Sequence, residues 1–558
     1  MEEIFIGIDF GTTQSTAVYY DPLHNDQLNL VKDHHGSVCY SSSLVFENIR
    51  EGKVIFGNST SDIASTGNYV CEIKRFLGKK YSDIMDEIEE DDKKYTMYSF
   101  VEGENDELLF ELTDENGNSK RMCAEELIAI QLSEIRKIME VRMNRSKFDC
   151  VVISAPVSFD DNLMKDALKR AYEIAGFKVI NFISEPSAAV FHFTVATNEN
   201  FKRCMLIDIG GGTTDVVIGE KQENGKINVL SSAGDQECGG SDLDKILMDM
   251  IIKELIGYGV DESLFTYNSK DVSTVKKRKM FIMRNLKKES EKAKIELSKN
   301  KYATVTIENI FGKSSDYNFK EIVISREDFE EKINESEFLT KIEDCMKQAL
   351  SKSKRKLRKA DIDKVILVGG TTKVPIVNET INNFFGKSKV STNPNYDPIT
   401  AVAQGCCLHS KDQRNLPEEQ TLFTVVENSI NLVLAGGKVS TLVAKDTKLP
   451  VKPVTLGPYL TAKDNQTEIE FELTEGESKY ADWNDTIDTY KVTGLTPKPK
   501  GEIKFTIKVE ITNLGDLKFT AIEMNSQNEP KEVQVKLSYD KPDEVVERMK
   551  QNIWEFLY

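Results

Sequence analysis

No run in this chain approaches the ~20 apolar residues of a membrane-crossing helix, and cations do not dominate its charge. Lys and Arg number 73 against 91 Asp and Glu, a formal net charge of −18, so neither nucleic acid nor anionic lipid is expected to bind by bulk attraction. DNA is therefore not expected as a direct partner, and neither is a membrane. The nine cysteines form no CxxC pair and no His-containing zinc spacing, which argues against a structural metal site and favours a reducing compartment. The opening Met1-Glu2-Glu3-Ile4 lacks a basic n-region, and the close Leu557-Tyr558 carries no retention signal. A cytoplasmic location is the expectation. Absent, too, is any GxxxxGK[ST] loop, so a nucleotide site here would belong to another class.

What is present is length and alternation. At 558 residues the chain exceeds the roughly 250–300 that one core holds, so at least two domains are expected. Short β-type runs at Ile4–Ile8, Cys150–Ile153, Met205–Ile207 and Val365–Val368 alternate with helical patterns such as Cys123–Val141 and Met164–Gly176. That alternation indicates α/β architecture. The polar stretch Lys411–Gln420, containing Pro417, reads as a linker within residues 409–422. Beyond it, Val/Thr/Ile-rich runs such as Ser440–Val443 and Glu502–Ile507 alternate with Gly, Pro and Asn/Asp turns, as in a β-sandwich. Lys541–Tyr558 offers one amphipathic helix with Val545, Val546, Met549, Ile553, Trp554 and Leu557 as its apolar positions. The acidic run Asp86–Asp92 and the basic run Lys352–Lys359 read as solvated faces, the basic one being also a place to meet a partner or ribosomal RNA.

The chemistry concentrates in two strings. Asp9-Phe10-Gly11-Thr12-Thr13-Gln14 follows the first apolar strand, and Asp208-Ile209-Gly210-Gly211-Gly212-Thr213-Thr214-Asp215 repeats the logic about 200 residues later. Each sets a carboxylate before a Gly/Thr-rich turn whose amides and hydroxyls can face phosphate, and glycine lets the backbone come close. Two such hairpins closing from opposite sides would hold a triphosphate, with Asp9 and Asp208 holding Mg²⁺ largely through its retained waters.

Together with Ile183–Ala189 (ISEPSAA) and Val365–Pro375 (VILVGGTTKVP), these strings resemble the 70-kDa heat-shock chaperones of the actin-like ATPase superfamily. The order and spacing of the motifs match over residues 1–408. The resemblance implies a fold: an α/β actin-like (ribonuclease H-like) ATPase domain in two lobes over 1–408, then a peptide-binding β-sandwich over 423–540 and a residual lid helix over 541–558. It implies ATP/ADP and Mg²⁺ as cofactors, with K⁺ as a further candidate ion. Implied partners are unfolded or nascent polypeptide, a J-domain co-chaperone, a nucleotide-exchange factor and, as a further candidate, the ribosome.

Roles follow by resemblance at matching positions. Lys74, in Cys71–Gly78, corresponds to the lysine that positions the attacking water. Glu185 lies near the metal waters, Thr213 by the γ-phosphate, and Asp215 completes the cluster with Asp208. Nucleotide contacts fall to Gly11, Thr12, Thr13, Gln14, Gly210, Gly211, Gly212, Thr213, Thr214, Gly239 and Gly240 on the phosphate side. Adenosine contacts fall to Glu291, Lys294 and Ser298, whose i, i+3, i+7 spacing shares a helix face, and to Gly369, Gly370, Thr371 and Lys373. Several positions depart from the family pattern. Lys373 replaces an arginine that stacks on adenine, and lysine stacks less well. Ser241 replaces an acidic residue in the segment Cys238–Asp244. Pro156 fits a proline linked to interdomain signalling, with Lys165 in place of its arginine partner. The linker keeps few of the family's leucines, and only a short tail stands where a helical lid of about a hundred residues would be expected, so fast peptide exchange or none is the expectation.

The leading expectation is a chaperone that hydrolyses ATP. The alternative is an ATP-binding scaffold in a ribosome-associated J-domain complex, which the short tail and altered linker favour. A sugar kinase of the same superfamily has no need of the appended β-domain and its Lys479–Trp483 segment.

Overall fold

The structure, a computed structural model, describes residues 4–21, 27–60, 69–90, 98–114, 117–144, 148, 151–156, 162–221, 227–266, 273–307, 320–353, 356–415, 426, 429–434, 436–445, 447, 451–493, 497–511, 517–523, 532–535 and 543–557. It is a mixed α/β chain with several sheets.

In the first unit the strands β1 (Phe5–Phe10) and β2 (Gln14–Tyr20) make an antiparallel hairpin, flanked by β3 (Leu28–Leu30) and β4 (Cys39–Ser41). On the other side β5 (Val151–Ala155) and β6 (Val179–Ser184) join in parallel, giving the order β6-β5-β1-β2-β3. In β1 the buried residues run together instead of alternating, as expected of a strand covered on both faces. The second unit uses the same device. Strands β7 (Arg203–Ile209), β8 (Thr214–Lys221) and β9 (Ile227–Asp235) are antiparallel neighbours, and β10 (Lys364–Val368) lies parallel to β7. In both hairpins the aspartate is the next-to-last residue of the first strand, Asp9 in β1 and Asp208 in β7.

Helices cover these sheets. The helical pattern at Cys123–Val141 is α1 (Ala124–Met143), whose first turn is closed by the Glu126 carboxylate accepting from the Cys123 N–H at 3.0 Å. The pattern at Met164–Gly176 is α2 (Asn162–Ile174), and Gly176 beyond it takes φ +84°, a left-handed helix stop. Next come α3 (Glu185–Thr197), capped by the Ser184 hydroxyl accepting from the Ser187 N–H, α4 (Gly240–Gly257), α5 (Ser273–Leu297) and α6 (Ala401–Asn415). Helix α6 crosses α3 so closely that a Cβ on Gly405 would lie 1.9 Å from the Ala188 carbonyl oxygen. A shared core of Val152, Ile183, Leu206, Ile366, Phe193 and Cys406 joins both sheets to these two helices. Where the polar composition reads as a linker from residue 409, the chain stays helical to Asn415, because no Gly or Pro interrupts it before Pro417; residues 416–425 lie outside the described residues.

The third unit is a sandwich of two four-stranded sheets sharing one core. One contains Ile430–Val433, Val439–Val443, Glu468–Glu475 and Asp485–Thr493, the other Val451–Leu460, Lys504–Ile511, Leu517–Glu523 and Glu532–Val535. Leu473, Phe505, Ile507 and Phe519 are among the side chains that fill it.

The final helix, α7 (Asp543–Leu557), packs on α1 and α2 of the first unit. Met549, Ile553 and Phe556 form its buried stripe, whereas Trp554, expected on the apolar face, is 65% exposed. The Phe556 ring lies 5.7 Å from that of Phe46, Lys120 sits over it at 4.6 Å, and Asn552 donates to the Glu126 carboxylate at 3.2 Å. A Cβ on Gly52 would fall 1.6 Å from the Phe556 carbonyl oxygen, so only glycine admits the helix. Removing the Phe556 ring should weaken this docking by about 3 kcal/mol. Phe556→Ala is expected to raise amide hydrogen exchange across 543–557 while leaving the sandwich unchanged; unaltered protection there would contradict the docked arrangement.

Candidate functional site

The site lies where the two hairpins face each other. The β1–β2 turn is fixed by Ser42, whose N–H donates to the Thr13 carbonyl and whose hydroxyl donates to the Gly11 carbonyl, each at 2.8 Å. Thr12 and Gln14 complete this turn. The β7–β8 turn is closed by the Gly210 N–H donating to the Thr213 carbonyl at 3.0 Å. It is then bound to the start of α4, where the N–H groups of Gly240 and Ser241 donate to the carbonyls of Gly210 and Gly211 at 3.0 and 2.7 Å. Thr214 donates its hydroxyl to the Cys238 carbonyl at 2.7 Å, placing Gly239 against the same turn. The hairpins meet at Gly211, where an added Cβ would come 2.2 Å from the Thr13 hydroxyl oxygen. This contact is the reason a side chain cannot replace glycine there.

Beside this meeting point the carboxylates gather. Lys74, only 4% exposed on the turn Ile73–Phe76, donates to Glu185 at 2.9 Å, and Glu185 opens α3. Asp9 accepts from the Ser154 hydroxyl at 3.0 Å. Burial, reinforced by the charge of Glu185, pushes the Asp9 carboxyl from 3.8 up to about 7, against the pull of Lys74 and Ser154. Asp208 is driven well above the carboxylate range, first by burial and then by the charges of Glu185, Asp215 and Asp9. Thr213 donates to Asp215 at 3.4 Å. Mutual repulsion among buried carboxylates is the electrostatic signature of a cation site. Among the described residues no group of three or more His, Cys, Asp or Glu side chains is close enough to ligate a metal directly. Oxygen donors such as the Asp9 and Asp208 carboxylates suit a hard cation of the Mg²⁺ kind, which keeps much of its water.

The nucleoside-side residues divide. Lys294 of α5 pairs with Asp244 at 2.7 Å and donates to the Gly240 carbonyl at 2.9 Å, so it reaches the start of α4 beside the β7–β8 turn. Thr371 does likewise, its hydroxyl donating to the Gly210 carbonyl at 2.8 Å. Gly369 and Gly370 lead from β10 into the short turn Gly370–Lys373. Glu291 sits one turn before Lys294, and Ser298 bonds back to the Lys294 carbonyl at 2.8 Å. Lys373 is 47% exposed and paired with Asp397 at 3.0 Å. Ser154, Asp244, Glu72 and Lys287 also belong to the assembly; Glu72 and Asp244 lie within the segments Cys71–Gly78 and Cys238–Asp244, but each of the four acquires its partner through the fold, which no local string states.

The family model described as Hsp70 protein matches residues 5–557, nearly the whole chain. The chain belongs to the Hsp70 family. Hsp70 proteins are in general ATP-dependent chaperones that bind ATP or ADP with Mg²⁺ and work with J-domain co-chaperones, exchange factors and substrate polypeptides. No helix among the described residues of this Hsp70 chain is long and apolar enough to cross a membrane. All eight described cysteines are free, Cys150 lying outside the described residues.

Proposed function

We propose that this Hsp70 chain hydrolyses ATP to ADP and phosphate in the cytoplasm and couples the step to binding unfolded or nascent polypeptide. Residues 1–408 act as a two-lobed, actin-like ATPase and residues 423–540 as the peptide-binding sandwich. The observation that carries this reading is the meeting of two Asp-led hairpins at Thr13 and Gly211 beside the buried Lys74–Glu185 pair.

The turn amides and the hydroxyls of Thr12, Thr13 and Thr213 bind and orient the phosphates. Asp9 and Asp208 are the residues that would hold Mg²⁺, which when bound would supply positive charge to neutralise the phosphate oxygens. Lys74 aligns the attacking water and faces the charge that develops on the γ-phosphate. Asp215, which accepts from Thr213, takes a proton from that water. Water is limited by the closeness of the two units, and the leaving ADP stays on Lys294 and the α4 start. In the third unit, strand edges offer main-chain hydrogen bonds to an extended peptide.

Single-turnover hydrolysis by the full chain, with and without a J-domain protein and an unfolded peptide, tests this. Turnover stimulated by both is the expected result. Tight ATP binding without turnover would replace it with the scaffold of a ribosome-associated J-domain complex.

A further inference from the structure

We propose that Glu72 is a positioning residue that clasps the two α/β units together and makes the placement of Lys74 depend on their closure. The inference rests on phosphate binding between the hairpins, as proposed above. Glu72 takes φ +52°, an uncommon conformation for a non-glycine residue, immediately before the turn that carries Lys74. Its buried carboxylate is held by groups from both units. Lys287 of α5 forms an ion pair with it, Ser241 at the start of α4 donates its hydroxyl, and Arg75 approaches at 3.5 Å.

Each of these partners also serves the nucleotide side. Ser241 donates its backbone N–H to the Gly211 carbonyl of the phosphate turn. Lys287 precedes Lys294 by two helical turns, so one face of α5 carries both the clasp and the Gly240 contact. The Arg75 guanidinium lies against Gly212, where a Cβ would come 2.9 Å from its Nη2. Burial alone would raise the Glu72 carboxyl, but Lys287, Arg75 and the two hydrogen bonds hold it far below the usual range, so it is ionised at neutral pH. An acidic residue at position 241, which the family pattern would place there, would confront that carboxylate with like charge; the serine supplies a donor instead.

The consequence is a coupling. Parting the units breaks the Lys287 and Ser241 contacts together and releases the turn that aims Lys74 at Glu185. Hydrolysis is thereby confined to the closed form, and ADP leaves only when the clasp opens.

The test follows fluorescent ADP release after an ATP chase and single-turnover hydrolysis in the full chain with Mg²⁺, for the parent, Glu72→Gln, Lys287→Met and the double variant. Each single change is expected to speed ADP release about tenfold or more and to slow hydrolysis, with the double variant no worse than the more damaged single one. Glu72→Asp should restore part of both. Unchanged release in both single variants, or effects that multiply in the double, would overturn the clasp. If Glu72→Gln does not fold, Lys287→Met reads the same contact from the other unit. A parent that binds no nucleotide defeats the proposed function and the clasp with it, whereas a parent that turns over ATP beside unaltered variants defeats the clasp alone.

Discussion

Lys74→Ala should lower single-turnover ATP hydrolysis by about 10²–10³-fold while changing ATP affinity much less. The reason lies in what the ammonium faces. Lys74 is almost wholly buried and bonded to Glu185, so it contributes little to grasping the nucleotide from outside. On the proposed mechanism its contribution grows as charge develops on the γ-phosphate, which would place it in the barrier and not in the ground state. Loss of the lysine also leaves Glu185 near Asp9 and Asp208 with a counter-charge removed. The variant should accordingly melt at a lower temperature than the parent without Mg²⁺ and recover much of the difference with it. Quench-flow on the purified variant decides the matter: an undiminished hydrolysis rate would remove Lys74 from the mechanism.

Asp9→Asn should act in opposite directions on stability and on activity. An acid whose folded pKa is raised stabilises the fold only while protonated. For Asp9 that contribution is complete below 3.8 and is lost as the pH climbs to about 7, where the folded carboxyl ionises. Asparagine of the same shape escapes this loss. Metal-free Asp9→Asn is therefore expected to be more stable than the parent at pH 8, by an amount on the order of 4 kcal/mol, and the gap should narrow toward pH 4. Hydrolysis should fall at least a hundredfold, and the Mg²⁺-dependent gain in melting temperature should shrink. Denaturant titrations at pH 8 and pH 5 without metal measure the first effect; a variant less stable than the parent at pH 8 would mean that Asp9 is not the strained group described here.

The difference between what could be read in the residues and what needed coordinates follows the range of the interactions. The Asp-led turns are strings of six and eight residues, and a hairpin brings such neighbours together by itself, so both are legible. The strands around them were legible for the same reason: runs such as Met205–Ile207 are apolar throughout because both faces are covered. The ends of elements were less so. Helix α6 continues to Asn415 because no Gly or Pro interrupts it there, and a polar stretch suits an exposed helix end as well as a linker. The apolar pattern of the last helix points to Trp554 as its covered aromatic, whereas the structure buries Phe556 and exposes Trp554. A helix's inner face is chosen by its partner, here Phe46 and Lys120. Glu72, Ser241 and Lys287 are more distant still, since the carboxylate is separated by 169 and 215 residues from the groups that hold it.

The docking of α7 makes the third unit an insertion. The chain enters it from α6, fixed against β1 and α3, and leaves it into a helix fixed against α1 and α2. The intervening segment is thus tied at both ends, and the loop that α7 closes on the first unit has a folded sandwich as its middle. Unfolding α7 would therefore release the sandwich on its C-terminal side while leaving its other end attached through α6.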